Sequence, residues 1–518
     1  MKHQFVILII LFSFFSVEAQ YQVITIDNDF DPNEPSIELN PYNTDVIVAG
    51  ANIDSYYYSN DGGYTWTEEF LSSDYGVWGD PVIACDAYGD FYYFHLSNPS
   101  FGDWIDRIVC QKSIDGGITW NNGSFMGLNG TKEQDKEWVS IDRANNYIYV
   151  TWTEFDQYGS TQFGDSSKIM FSMSTDAGES WTPAMRINKT AGDCADDDQT
   201  VEGAVPAVGP NGEVYVAWAG RQTNGNLAIM FDKSMDQGTT WLDEDLYVTD
   251  FPGGWVFDIP GIMRCNGLPV VKCDTSEGIS HGRIYINWTD QENGTYDTDV
   301  WLIYSDDEGE TWSNKIRVND DDAGRHQFFT WMDVDQTNGK LYFIFYDRRN
   351  YSDTKTDVYM AISEDGGNTF ENIKISESPF TPSSGVFFGD YTNISVHNGK
   401  IAPIWARADG STMSLKTIVP DLSGLESEYD NLFSEVYPNP SSDEFYFSFK
   451  LKKASVVKLE LVDIFGKTIV RLVENETYPY GKFVKTFSPG KYNLASGVYF
   501  FRYYNDETQI VKKIIYNK

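Results

Sequence analysis

The chain has 518 residues, a formal net charge of −39, 16% aromatic residues, 43 glycines and five cysteines. That length exceeds what one ordinary core organises, so several domains or a repeat architecture is expected. So acidic a chain excludes nucleic acid and anionic lipid surfaces as partners, because phosphate recognition needs the opposite field.

The first residues, MKHQ followed by the apolar run FVILIILFSFFSV and the small-residue site VEA, predict a secretory signal peptide over 1–19. No later segment approaches the roughly 18 apolar residues of a membrane span, so the chain is expected to be exported without one. Five cysteines form neither a dense disulfide framework nor a paired CxxC metal spacing. Cys85, Cys110 and Cys194 read as small buried apolar residues. Cys265 and Cys273 flank a short run beginning NGLPVV, and are spaced either to close a hairpin disulfide or to stay free.

Over residues 20–420 the apolar runs are short, alternating and β-branched, an all-β pattern. SNDGGYTW (59–66) returns as SIDGGITW (113–120), STDAGESW (174–181), SMDQGTTW (234–241), SDDEGETW (305–312) and SEDGGNTF (363–370), at intervals of 54, 61, 60, 71 and 58 residues. A period of this size with four short strands per unit predicts a β-propeller. One unit reads as EWVSID, YIYVTWT, KIMFSMS and SWTPAMRI; the inner and second strands of the others read as PSIEL/DVIVAGA, PVIACD/DFYYFHL, AVPAVG/EVYVAWA, GIMRC/RIYINW and WMDVD/KLYFIFYD. A seventh unit without a box (391–419) offers three strands, and YQVITID (21–27) supplies a fourth, so seven blades are favoured over six. Within each box the aspartate (Asp61, Asp115, Asp176, Asp236, Asp307, Asp365) is placed to accept backbone N–H groups in a tight turn. The glycine two places on permits positive φ, and the final aromatic residue is expected to pack between blades. These roles are structural.

S-x-D-x-G-x-T-W repeats closely resemble the Asp boxes, or BNR repeats, of sialidases and related secreted propellers, over roughly residues 21–420. The resemblance implies that the boxes lie on the face opposite the active site.

After the linker 421–432, residues 433–518 read as a small Ig-like antiparallel β-sandwich. Residues 431–518 hold 13 Lys/Arg against 9 Asp/Glu, net +4, which leaves −43 on the rest. YPNP (437–440), DIFGK (463–467), SGVYF (496–500) and KKII (512–515), in this order, resemble the carboxy-terminal sorting domain of type IX secretion substrates in the Bacteroidota. The resemblance implies the type IX machinery as a partner and a secreted or cell-surface location.

Chemistry is expected at the face away from the boxes. Aligning the units places Glu34, Asp80, Glu137, Glu202, Asp258, Thr330 and Asp390 at the starts of the inner strands, so six of seven carry a carboxylate. Like charges converging on one axis must be solvated, protonated or neutralised by a cation. Calcium held by Glu34 and Asp390 is a candidate neutraliser, although no cofactor is required; the alternative is that each carboxylate caps its own strand. Loops on the same rim carry His95, Arg221, Arg348, Arg349 and Arg407, which offer either a carboxylate fork or partners for neighbouring aspartates. Trp78, Trp104, Trp255 and Trp331 are candidates for stacking on sugars or for packing between blades. The aspartate-rich loops GDCADDDQT (192–200) and NDDDAGRHQ (319–327) lie on that side too.

The sialidase resemblance implies an Arg-Ile-Pro motif in the first blade whose arginine binds the substrate carboxylate. Here that stretch is NEPSIEL (33–39), with Glu34 in the arginine's place, where it would repel a sialic acid. Ordinary exo-sialidase activity is therefore not expected. Arg348 and Arg407 are candidates for two remaining arginines of the triad, and Tyr346 for the nucleophile. The leading expectation is a divergent glycoside hydrolase acting on an extracellular glycan through paired carboxylates among Asp80, Glu137, Glu202 and Asp258. A non-catalytic glycan- or protein-binding propeller, and a polysaccharide lyase using His95, His326 or Tyr346, stand as alternatives.

Overall fold

A computed structural model describes residues 21–420, 435–451, 454–463, 466–479, 481–505 and 509–518. The expected signal peptide and the whole of the linker lie outside the described residues. Tyr21–Val419 form one compact unit, and Pro420–Lys518 belong to another.

Among the described residues, the first unit holds seven four-stranded antiparallel sheets. The innermost strands are Ser36–Leu39, Val82–Cys85, Glu133–Asp142, Glu202–Val208, Val270–Cys273, Gln327–Asp335 and Asn393–His397. Each packs against the next, and Asn393–His397 returns to Ser36–Leu39, so the sheets form a ring. Tyr21–Asp27 is the outer strand of the last sheet, paired with Thr412–Pro420, so the start of the described chain completes the final blade. Second strands such as Phe91–Leu96 (FYYFHL) are buried at every position because neighbouring sheets cover both faces. Outer strands such as Thr67–Phe70 (TEEF) are largely exposed, hence polar.

All six boxes fold alike. Asp61 accepts the Thr65 N–H (2.9 Å) and hydroxyl (2.6 Å), while Ser59 Oγ donates to Asp61 (2.8 Å) and accepts from the Gly63 N–H (2.9 Å). Gly63 has φ 93°, where a β-carbon would be strained. Four box tryptophans lie edge-on to a ring of the preceding blade: Trp120 to Tyr56 (5.9 Å), Trp181 to Phe94 (5.9 Å), Trp241 to Phe171 (4.9 Å) and Trp312 to Phe231 (5.3 Å). The boxes thus close the third-to-fourth strand turn and join blade to blade.

In the fifth blade one expectation fails and one open pair of alternatives is decided. Its inner strand is Val270–Cys273 rather than GIMRC, which lies in an inserted segment where Val256–Phe257 pairs with Cys265–Asn266. Cys265 and Cys273 consequently sit in different sheets, and all five cysteines are free and buried. Of the two alternatives that their spacing left open, Cys265 and Cys273 stay free.

In the second unit, Glu435–Tyr437, Phe445–Leu451 and Gly481–Phe487 form one sheet. Thr468–Tyr478, Ser455–Val462, Gly497–Tyr504 and Gln509–Tyr516 form the other. Alternate residues of facing strands meet in an aromatic core, with Phe447 against Phe501 (5.6 Å) and Phe449 against Tyr503 (5.2 Å).

Candidate functional site

The inner strands approach the mouth of the ring through left-handed residues: Glu34 (φ 49°), Asp80 (52°), Lys136 (54°), Gly203 (68°), Phe329 (50°) and Gly389 (93°). In the third, fourth and sixth blades this residue forms a bulge in the strand ladder. Bulges re-aim side chains. Left-handed backbone costs a non-glycine residue about 1–3 kcal/mol, and such residues gather where structure serves a site. Gly389 also runs so close to Glu34 that a β-carbon would come within 2.9 Å of the Glu34 nitrogen. Lys136 is therefore the structural counterpart of Glu34 and Asp80, a cation where those two blades carry an acid.

That cation organises the mouth. Lys136 Nζ lies 2.6 Å from Asp390 Oδ2, 3.6 Å from Asp80 Oδ2 and 3.7 Å from Glu34 Oε1. Arg264, from the inserted segment, grips Asp390 with Nε (3.0 Å) and Nη2, and Arg264 Nη1 lies 3.4 Å from Asp196. Tyr158 donates its hydroxyl to Asp196 (2.5 Å). The Asn52 amide donates to Glu34, while its oxygen accepts the Asp80 N–H (2.8 Å).

Burial alone would raise the Asp390 carboxyl, but Lys136 and Arg264 outweigh it and hold it down to about 2. The same three carboxylates outweigh the burial of Lys136 and raise its ammonium well above the usual lysine range. Asp135 makes no hydrogen bond through its side chain among the described residues and is only 7% exposed. Burial, then the charge of Asp80, pushes it up to about 7. Glu34, Glu137 and Glu202 are also raised well above the carboxylate range. Burial is the first cause for each, followed by the charge of Asp80 for Glu34 and Glu137 and of Asp196 for Glu202. Neither carboxyl oxygen of Glu137 or Glu202 has a hydrogen-bond partner among the described residues. An unpaired buried acid keeps its proton.

Above this cluster opens a cavity of about 570 Å³, whose lining includes Glu34, Asp80, Asp135, Lys136, Arg264 and Tyr158. Trp78 and Trp104 lie edge to face at 6.1 Å, Trp104 and Tyr158 at 5.9 Å, and Phe30 and Phe70 at 5.5 Å, all on the cavity lining. At the inner side, Trp138 packs on Trp331 (4.3 Å) and edge-on to Tyr391 (5.0 Å), whose ring lies 5.8 Å from the Lys136 ammonium.

The cavity thus gathers Glu34, Asp80, Trp78 and Trp104 from the candidates, with Asp390, Glu137 and Glu202 in the adjoining charge cluster. Other candidates lie elsewhere. Asp258 is exposed in the inserted segment, because that insertion displaced the alignment of the fifth blade. Tyr346 is 1% exposed, donates to the Ala406 carbonyl (2.7 Å) and is packed among phenylalanines, so it is a core residue rather than a nucleophile in the cavity. His95 is fully buried between the Leu96 carbonyl (2.8 Å) and Gln111 (3.1 Å), and burial lowers it to about 4. Arg221 meets Gln199; Arg349 meets Asp347 and Asp320; Arg407 meets Asp409 and the Ser378 carbonyl. Arg348 is buried, with Nε on Thr356 (3.0 Å) and Nη1 on the Pro260 carbonyl (2.6 Å). None of these arginines lines the cavity, and Trp255 and Trp331 are core residues. Glu34 and Asp390 are engaged by Asn52, Lys136 and Arg264, and among the described residues no group of three or more His, Cys, Asp or Glu is arranged to hold a metal ion. Sequence reasoning missed Asp135, Lys136 and Arg264. The polar run EQDKE ahead of a strand was a signal for the first two.

Residues 147–409, just over half of the chain, match the family model described as BNR repeat-like domain, and 57–68 match the BNR/Asp-box repeat. Residues 435–517 match the secretion system C-terminal sorting domain, which points to export through the type IX machinery and to a secreted or cell-surface location. No helix among the described residues is long and apolar enough to cross a membrane. No curated protein matches the chain by sequence. Similar solved structures include a Hadza microbial sialidase (14% identity, 73% of each chain covered, TM-score 0.44). A Penicillium chrysogenum alpha-L-arabinanase is likewise similar (14% identity, 69% of this chain and 99% of that one, TM-score 0.42). So is an ulvan lyase (10% identity, 76% and 95%, TM-score 0.46).

Proposed function

The chain belongs to the BNR repeat-like domain family, and from that premise we propose that it is an exported propeller that hydrolyses glycosidic bonds in an extracellular glycan. The carrying observation is the pair Asp135 and Asp80 on adjacent blades of one aromatic-lined cavity, with Asp135 pushed up to about 7 by burial and by the charge of Asp80. A carboxyl group that burial keeps protonated, beside a second carboxyl group, supplies an acid and a base or nucleophile in one cavity. Asp135 donates its proton to the departing glycosidic oxygen. The Asp80 carboxylate stabilises the positive charge developing on the sugar ring or delivers the attack. Lys136 and Arg264 hold Asp390 and fix the geometry of the bulge that presents Asp135, while the rings of Trp78, Trp104 and Tyr158 offer faces for sugar stacking.

The test is release of reducing ends from a broad polysaccharide panel by the purified exported chain. Asp135→Asn and Asp80→Asn are each expected to lower turnover by about 10²–10⁴-fold with the fold intact. Turnover unchanged in Asp135→Asn, binding without any turnover, or an unsaturated product absorbing in the ultraviolet would each contradict this reading.

A further inference from the structure

One side chain on the cavity lining ties the first blade to the second and has no role in the chemistry proposed above. Asn52 follows the second strand of the first blade, Ile47–Ala51, and stands two residues beyond Gly50, the partner of Ser36. By the same register the second to sixth blades carry Leu96, Thr153, Ala219, Thr289 and Tyr346 there, so the repeat itself does not call for an amide. Both ends of the Asn52 side chain engage the strand starts. Its Nδ2 donates to Asn33 Oδ1 (3.1 Å) and to Glu34, its Oδ1 accepts the Asp80 N–H (2.8 Å), and its own N–H donates to the Asn33 carbonyl (3.0 Å). The Asp80 turn needs such a partner. Its backbone is left-handed (φ 52°), and Pro81 after it has no N–H with which to anchor the turn. Before it, Gly79 runs so close that a β-carbon would fall on Asn52 Oδ1. From this turn the Asp80 carboxylate reaches within 3.6 Å of Lys136 Nζ, and its charge acts on Asp135.

We propose that Asn52 is a positioning residue of the site: its amide fixes the Asp80 turn, and through it the placement of the Asp80 carboxylate relative to Asp135. This rests on the glycan-hydrolase reading, in which Asp80 and Asp135 act as a pair. Asp135 also faces Asp196, Glu137 and Glu202 among the acids, Lys136 and Arg264 among the cations, and Tyr158. Of all these groups Asp80 alone bonds to Asn52 among the described residues, so a change at Asn52 reaches Asp135 through Asp80.

The test is the titration of Asp135 in the full exported chain, followed by its carbonyl stretch in infrared spectra differenced against Asp135→Asn in each background. Asn52→Ala, and Asn52→Leu of similar volume, are each expected to lower the midpoint from near 7 by roughly 0.5–1 pH unit, part of the fall that Asp80→Asn produces. In the Asp80→Asn background neither change should move it further, because the coupling runs through Asp80. On a glycan that the chain hydrolyses, the alkaline limb of the pH–rate profile should move down by the same amount. The inference is overturned if Asp80→Asn lowers the midpoint while both Asn52 variants leave it unchanged, whatever they do to the urea midpoint; Asn52 would then serve the fold alone. It is equally overturned if the Asn52 variants still act when Asp80 is already asparagine. A midpoint that Asp80→Asn itself does not move would overturn the pairing of Asp80 with Asp135, and the hydrolase reading with it. The absence of turnover on every glycan would overturn the hydrolase reading, whereas the titration reports on the link from Asn52 to Asp80 by itself.

Discussion

At the box end of the propeller, Asp307 stands in solvent and accepts the Thr311 hydroxyl (2.6 Å) and N–H (2.8 Å) and the Ser305 hydroxyl (2.8 Å). The bonds from Thr311, then that from Ser305, hold its carboxyl below the usual aspartate range. At the mouth, Asp135 lies buried with no hydrogen bond to its side chain among the described residues, and is pushed up to about 7. The same side chain is thus a finished structural part at one end and a held proton at the other. Repetition marks the first kind: six aspartates with one set of partners support the scaffold. The second kind is set by burial at a strand bulge: Glu202 in the fourth blade is buried, unpaired among the described residues and raised in the same way, but the left-handed residue beside it is Gly203 rather than a lysine.

If the mouth is held by its cations, removing Lys136 should do the most damage. Lys136→Met leaves Asp390, Asp80 and Glu34 facing one another and is expected to cost about 3–5 kcal/mol, read as a lowered midpoint in urea. A midpoint unchanged from wild type would mean that the carboxylates are relieved in another way.

Next in size is the effect of pH on stability. Asp135 has an ordinary unfolded value of about 3.9 but about 7 in the fold. Between these values the folded chain binds the extra proton, so its contribution falls as pH rises from about 4 to 7 and is fully unfavourable above 7. Asp135→Asn should remove this decline and gain on the order of 2–4 kcal/mol at pH 8 relative to wild type, judged by denaturant midpoints across pH. Asp390 runs the other way. Its folded value of about 2 lies below the unfolded one. Its stabilisation is present above about pH 4 and lost as pH falls through 2. Asp390→Asn should therefore flatten the acid limb.

The smallest effect is expected at the boxes. Asp61→Ala removes one turn's acceptor among six equivalents and should cost about 1 kcal/mol, the size of a lost cap. It should leave turnover unchanged. A large loss of activity from this variant would break the distinction between the two ends.

Much of the scaffold was legible because it rests on local rules: the boxes specify turns, their aromatic residues specify blade contacts, and alternating strands specify the sheets. The site was legible only in part. Glu34 and Asp80 follow from counting back from each inner strand. Counting failed where backbone geometry changes, so the bulge at Lys136 brings Asp135 and Lys136, rather than Glu137, to the cavity lining in the third blade. An insertion in the fifth blade then exchanged the expected Asp258 for Arg264. The rim arginines misled for a different reason. A chain with 77 acidic residues against 38 lysines and arginines leaves few cations unclaimed, and Arg349 and Arg407 pair with aspartates nearby in sequence. Tyr346 ends a buried second strand, where aromatic residues serve packing.

The central claim, that the mouth holds a protonated carboxyl at Asp135 while the boxes hold ionised ones, can be measured without knowing the substrate. Infrared difference spectra between wild type and Asp135→Asn, recorded from pH 5 to 9, isolate the carbonyl stretch of that acid. A protonated-carboxyl band present at pH 6 and lost with a midpoint near 7 (the value burial and the charge of Asp80 impose) is the expected result. A band already absent at pH 5, with Asp135 titrating near the ordinary value of about 4, would contradict the account.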